Sequence, residues 1–297
     1  MPVYLILPLI AAVGYAIASM FLKKALAEGA HPGWCFHINN FSGMVCFLPM
    51  ILFQKTPVHW EQWHHPALNG ALFFAGCWFT FAAMQRGHVS LVTPLMGSKV
   101  IFAAIGLVVL IGGGMSGLLW AAALLTTLGI LLMGLTDMHS APGKRLAGPV
   151  SMALISSALF ASTDVLIMKW GPDFGRQAFL TMQMLTSGLL SLAVCTFSRS
   201  LPKLVWTPAL RWAVLGSSLV GVQSLFMGSA LGFFDDPVGV NVVYATRGLW
   251  SLFIVAWLGP LIGNHERHQS GKGYALRVVG ALLLLTAVVF AILGRTA

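Results

Sequence analysis

Charged residues are scarce in this chain: Asp, Glu, Lys and Arg together make up 8% of it, where a soluble globular domain carries about 25%. That shortfall excludes a water-facing surface over most of the molecule. Acidic residues are the scarcer sign, 8 against 17 Lys and Arg. The resulting formal charge of +9 is nevertheless no nucleic-acid footprint, because the basic residues stand singly between apolar runs instead of forming a stripe. Cysteine is limited to Cys35, Cys46, Cys77 and Cys195, all inside apolar stretches and without CxxC spacing. This argues against a disulfide framework or a metal site and for small core residues. The chain has no phosphate-binding glycine loop, no HExxH and no GxSxG, so only generic polar groups inside apolar segments would support an enzyme, and none is expected. A cleaved signal peptide is not expected either, since the first apolar stretch lacks a basic n-region and runs to Leu22 without a small-residue cleavage motif.

What the sequence has instead is apolar length. Hydrophobic residues make up 58% of it and the mean hydropathy is +0.85, so the bilayer is its solvent. Runs bounded by charges, Gly and Pro predict ten transmembrane helices near 3–22, 33–53, 67–85, 91–111, 117–135, 147–168, 177–197, 209–232, 238–262 and 273–293. The expected fold is an all-α, multi-pass membrane protein. Two connections stand out. Gln54 to Pro66 holds His59, His64 and His65 beside Trp60 and Trp63, which reads as an interfacial segment without a zinc ligand set. Asp137 to Leu146, with Pro142, Gly143, Lys144 and Arg145, is the natural linker between halves at 1–140 and 141–297.

The halves repeat. Tyr15-Ala16-Ile17-Ala18-Ser19 with Lys24 aligns with Phe160-Ala161-Ser162-Thr163-Asp164 with Lys169 at an offset of 145, and the same offset places Phe41-Ser42-Gly43 on Thr186-Ser187-Gly188. An offset of 148 puts Gly97-Ser98-Lys99 on Ala245-Thr246-Arg247, and one of 151 puts Gly129 on Gly280. Five spans per half send the second half through the membrane in the opposite sense, so the expected architecture is two inverted five-helix repeats, a common transporter plan. The odd-numbered connections hold eleven of the 17 Lys and Arg, Lys23, Lys24, Arg86 and Arg199 among them, and the positive-inside rule then puts both termini away from the cytoplasm.

Three ionisable residues lie well inside apolar spans: Lys99, Asp164 and Arg247. Each costs about 2.5–3.5 kcal/mol at the bilayer centre on insertion scales, so each should face the bundle interior and find a partner. Lys99 and Arg247 hold matching places in the halves, each after a hydroxyl residue, and a pseudo-two-fold axis would bring both to one midplane cavity. Two cations there call for an anionic substrate bearing phosphate or carboxylate, which an arginine fork recognises well. The competing possibility is that Asp164 neutralises one of them as a structural ion pair while the other snorkels. Other polar candidates for the cavity are His37 and Asn40 in span two, Gln183 in span seven, Gln223 in span eight, and Asn241 and Tyr244 in span nine. Asn241, Tyr244 and Arg247 recur at i, i+3 and so share a face. Taken singly, Trp78, Trp250 and Tyr15 read as packing residues, and Gly228 with Gly232 as a close helix contact. Pro94 and Pro237 are expected to set a helix start or a kink.

The chain resembles the drug/metabolite transporter superfamily, specifically its ten-helix EamA-type members. The resemblance rests on Tyr15 to Ala18 followed by Lys23-Lys24, on Ala82-Ala83-Met84 leading through Ser90 to Pro94, on Leu124 to Gly134 around Gly129, and on a second copy from Ala147 to Gly294. It implies a basket of helices around a central cavity, alternating access, and both termini cytoplasmic, opposite to the charge count. Lys99 and Arg247 are similar to the basic pair that organic-phosphate translocators and some nucleotide-sugar transporters place on helices four and nine. The expected function is a secondary transporter of a small anionic metabolite, with Asp164 as charge partner or proton switch. The alternatives are an exporter of amino acids or amphipathic drugs, or a translocase for a phosphorylated lipid carrier. Implied partners are the substrate, the lipid bilayer of a bacterial inner membrane, coupled protons and, optionally, a second copy in a homodimer. No cofactor and no nucleic acid are expected.

Overall fold

In lipid every backbone N–H and C=O must be paired within the chain, which leaves helices as the economical way for an apolar run to cross. The computed structural model describes residues 3–86, 95–112, 114–138, 147–197, 201–258 and 271–296, and among these every regular element is helical. Ser90, Pro94, Pro142, Gly143, Lys144, Arg145, Arg199 and Arg267 lie outside the described residues.

The elements are α1 (Ile6–Ala27), α2 (Pro32–Phe47, prolonged by a 3-10 stretch Leu48–Phe53), α3 (His64–Arg86), α4 (Lys99–Gly106), α5 (Gly117–Met138), α6 (Ala147–Phe174), α7 (Arg176–Phe197), α8 (Pro208–Phe234), α9 (Pro237–Ala245), α10 (Arg247–Leu258) and α11 (Gly271–Thr296). Among the described residues, seven stretches are long and apolar enough to cross a membrane: Ile6–Ala27, Pro32–Phe53, Trp60–Arg86, Ala147–Phe174, Arg176–Phe197, Pro208–Phe234 and Ala275–Gly294. Met96–Ile111 and Gly117–Met133 are shorter apolar helices. The chain is thus an integral, multi-pass membrane protein.

Several ends follow from local chemistry. Pro208 and Pro237 occupy first-turn positions where the missing N–H costs nothing, and the preceding Thr207 and Asp236 side chains accept from Leu210 N at 3.2 Å and Gly239 N at 2.8 Å. Pro237 therefore starts a helix and does not kink one. The interruption in the ninth predicted span falls at Thr246, whose Oγ1 donates to the Val243 carbonyl at 2.7 Å. The fourth span is broken in the same manner: a 3-10 turn Met96–Ser98 precedes α4, and Ser98 Oγ donates to the Leu95 carbonyl at 2.7 Å. A short π turn, Leu107–Ile111, then closes at Gly112 with φ +76°.

Packing relies on small residues that let backbones approach, the usual device where lipid removes a hydrophobic drive between helices. α1 lies along α8 and α3 along α6; α2 also meets α8, α3 meets α7, and α5 runs along α11. Gly216 faces the Ala18 carbonyl and Leu22, and Gly228 and Gly232 face Phe47, Leu180 and Ile167, so the GxxxG of α8 is a packing contact. All of α9 is buried; it touches α1, α4, α5, α6, α8 and α11. Trp60 and Trp63 are exposed beyond one end of α2, while Trp34 at its other end donates to the Pro202 carbonyl at 3.1 Å near exposed Trp206. These rings suit two membrane–water interfaces. His59 pairs with Glu61, His65 stacks on Trp170 with ring centroids 4.4 Å apart, and no metal-holding group of three His, Cys, Asp or Glu occurs among the described residues.

A close crossing joins α5 and α11. A Cβ on Gly129 would stand 2.8 Å from the Gly280 carbonyl oxygen, and one on Gly280 2.6 Å from that of Gly129. Overpacking a close contact costs about 1–3 kcal/mol, so Gly280→Ala is expected to lower the melting temperature of the detergent-purified protein by several degrees. Gly117→Ala, in open space, should leave it unchanged; equal melting temperatures for both variants would show that the crossing is not tight.

Candidate functional site

The three intramembrane charges have distinct surroundings. Lys99 opens α4 directly after the Ser98 break, and its Nζ lies 2.7 Å from Asp164 Oδ2 on α6. The ammonium is also 5.8 Å from the centre of the Phe160 ring. Asn241, on the buried helix α9, donates one Nδ2 hydrogen to the same Asp164 oxygen at 2.5 Å and the other to its own Pro237 carbonyl at 2.8 Å. Asp164 is 5% and Asn241 2% exposed, so the carboxylate is removed from water and answered by a cation and an amide donor. A buried charge needs that degree of satisfaction to be tolerable.

Arg247 opens α10 after the Thr246 break. Its guanidinium carbon sits 4.8 Å from the centre of the Tyr15 ring and 4.6 Å from that of Tyr244, and the two rings meet edge to face at 6.1 Å. Cation–π contacts with desolvated rings contribute about 2 kcal/mol, and Tyr244 is also within hydrogen-bonding reach of the guanidinium. Arg247 forms no ion pair with any described residue. Lys99 and Asp164 cancel, so the charge of Arg247 stands without a carboxylate partner among the described residues.

Asn241 and Tyr244 join these two groups, since they lie one turn apart on α9 with Tyr244 only 7% exposed. The other predicted candidates are in hydrogen bonds between or along helices. His37 Nδ1 and Ser191 Oγ are 2.7 Å apart. Asn40 donates to Phe36 O at 2.9 Å and accepts from Ser187 Oγ at 2.7 Å. Gln183 accepts from Asn69 Nδ2 at 2.9 Å. Gln223 donates to Ser224 Oγ at 2.8 Å, while its buried Oε1 accepts nothing among the described residues; its Cβ lies against Gly14, next to Tyr15.

Three neighbours of the charges carry little signal of that role in the sequence. Tyr15 reads there as packing yet faces Arg247. Phe160, its aligned partner in the repeat, faces Lys99. Asn69, fully buried, also donates to Thr163 O at 3.2 Å and so ties α3 to the turn that carries Asp164. The sequence offset of 145 contained the signal for Tyr15 and Phe160; Asn69, two residues into the predicted span 67–85 and followed by Gly70, reads as a residue at a helix end.

The Lys99–Asp164 pair yields a stability prediction. Breaking a buried pair by removing one partner costs about 3–5 kcal/mol, whereas replacing both by apolar residues is close to neutral. Asp164→Asn should therefore lower the thermal midpoint markedly, and Lys99→Met with Asp164→Leu should recover most of it. A double variant no more stable than the single one would mean that the pair is not the constraint.

One solved crystal structure, described only as that of a protein, superposes with a TM-score of 0.71 at 16% identity, covering 99% of this chain and 98% of its own. It shows a shared fold over the full length. No curated protein matches the chain. Residues 2–135 match the EamA-like transporter family, so this stretch is similar to members of the drug/metabolite transporter superfamily.

Proposed function

We propose that the protein is a secondary transporter in which two inverted five-helix repeats, residues 1–140 and 141–297, rock against each other and pass a small anionic metabolite through a site between them by alternating access. Arg247 carries the anionic assignment: a guanidinium held between two tyrosine rings inside an apolar bundle, with no described carboxylate in ion-pair range. A carboxylate or phosphate would meet its edge with two parallel hydrogen bonds. Asn241 and Tyr244 complete the contacts, and Asp164 is the charge partner of Lys99 and the group on which coupled protons would act. His37, Asn40, Gln183 and Gln223 would have to exchange present neighbours to reach a substrate. By family type, the setting is a bacterial inner membrane.

Support for the two repeats comes from contacts that recur at the sequence offsets. α1 meets α8 as α6 meets α3, α2 meets α8 as α7 meets α3, and α10 meets α1 as α4 meets α6. Gly129 and Gly280 lie against each other, as equivalent positions do where they meet at a two-fold axis. Ser98 and Thr246 bond back to the carbonyl three residues earlier in the same way.

One observation favours a second assignment. Because Asp164 already neutralises Lys99, the site is less cationic than two free bases would make it, which suits an exporter of amino acids or amphipathic drugs. A thermal-shift screen of detergent-purified protein against sugar phosphates, nucleotide sugars, carboxylates, amino acids and cationic drugs separates the two, since a ligand of the native state stabilises it with occupancy. The expected result is stabilisation by an anionic class whose apparent affinity falls at least about tenfold in Arg247→Gln, in line with about 1.5–3 kcal/mol for charge-assisted hydrogen bonds. Stabilisation by neutral or cationic compounds alone would favour the exporter.

A further inference from the structure

We infer that Ser19 sets the charge this site accepts, and that the substrate presents a single negative charge to it. This rests on the anion-transporter assignment and deepens it. On the Lys99 side, α6 offers an aromatic ring, Phe160, and four residues on a carboxylate, Asp164; the ammonium is 5.8 Å from the ring and 2.7 Å from the carboxylate. On the Arg247 side, α1 offers an aromatic ring, Tyr15, 4.8 Å from the guanidinium, and four residues on Ser19. Residues four apart share a helix face, so Ser19 stands where a carboxylate would complete the arrangement around Arg247 as Asp164 does around Lys99. It is half-buried, and its hydroxyl is turned to its own helix, donating to the Ala16 carbonyl at 2.8 Å.

The consequence is a charge count. Lys99 and Arg247 contribute two positive charges and Asp164 one negative, leaving one positive charge in a medium where an unanswered charge is costly. A monoanion makes the occupied site neutral, and a dianion leaves it negative. An aspartate at position 19 would answer Arg247 from within the protein and take the substrate's place electrostatically. Serine at this position keeps the counter-ion role open for a ligand.

The test uses purified full-length protein at neutral pH and thermal-shift titration with three matched pairs of probes: benzoate with terephthalate, lactate with malate, and diethyl phosphate with ethyl phosphate. Wild-type protein is expected to bind the monoanion of at least one pair at least about tenfold tighter than its dianion, a difference of about 1.4 kcal/mol. Ser19→Asp is expected to weaken that monoanion at least about tenfold while its ligand-free melting temperature holds or rises. Tighter binding of the dianions, or wild-type affinity for the monoanion in folded Ser19→Asp, overturns the inference and leaves the anion site standing if Arg247→Gln still loses binding. If no probe of either charge stabilises the wild type, or if Arg247→Gln binds as the wild type does, the anion assignment falls and this inference with it. The wild-type preference decides the matter even if Ser19→Asp does not fold.

Discussion

Three formal charges sit among helices that are otherwise apolar, and taking an ion out of water costs several kcal/mol unless the protein answers it. Much of the interior is arranged around that constraint. α9 is buried along its whole length, which would be a liability for a helix carrying Asn241 unless the amide had acceptors. It has two, the Asp164 carboxylate and the Pro237 carbonyl. Asp236, as cap of α9, accepts from Gly239 N and also from the Tyr4 hydroxyl at 2.7 Å. That bond fixes the start of α9 to the N-terminal segment, and the rotation of α9 in turn fixes where Asn241 and Tyr244 point.

The helix breaks before Lys99 and Arg247 belong to the same scheme. A hydroxyl that bonds back to a carbonyl three residues earlier competes with the regular helix ladder and loosens it. Ser98 and Thr246 do this immediately before the two cations, so each basic residue begins a new helical segment whose direction is set by its own packing. Close glycine contacts hold those segments in register: Gly97 lies against Ile130 of α5, and α5 against α11 through Gly129 and Gly280. A side chain at any of these positions would push apart helices that carry the charges.

Of the ten expected spans, the seven that form membrane-length helices among the described residues were legible in the sequence, as were the three charged residues, because uninterrupted hydropathy and a lone charge within it are local signals. So was the competition for Asp164: the sequence allows it to pair with either base, and the structure pairs it with Lys99. Other features depended on three-dimensional neighbours. His37, Asn40 and Gln183 look like cavity-lining groups when only their polarity is known, yet each meets a polar residue more than a hundred positions away, Ser191, Ser187 and Asn69 respectively. Tyr15 was hidden for the converse reason. An aromatic residue on an apolar helix is ordinary, and its contact with Arg247 follows only once α1 packs against α10. Of the two outcomes expected at Pro237, a helix start or a kink, the structure shows the start, because a proline in the first turn lacks nothing the helix needs there, and the break falls at Thr246.

The choice of base at each place fits its surroundings. A lysine ammonium is a compact charge that a single carboxylate oxygen can meet end-on, as Asp164 meets Lys99 at 2.7 Å. A guanidinium is planar and weakly hydrated, so it can lie against aromatic faces and still direct several N–H groups outward from its edge. The Arg247 guanidinium lies over the rings of Tyr15 and Tyr244. Exchanging the two bases would set a flexible, strongly hydrated ammonium between rings that cannot satisfy its three donors, and would ask one carboxylate to serve a five-donor fork. The two places match at a sequence offset of 148 yet are chemically distinct, Lys99 closed by an internal counter-ion and Arg247 held over two tyrosine rings with no carboxylate partner among the described residues. On the proposed function, that difference is what lets a site built from near-repeats hold one substrate in one orientation.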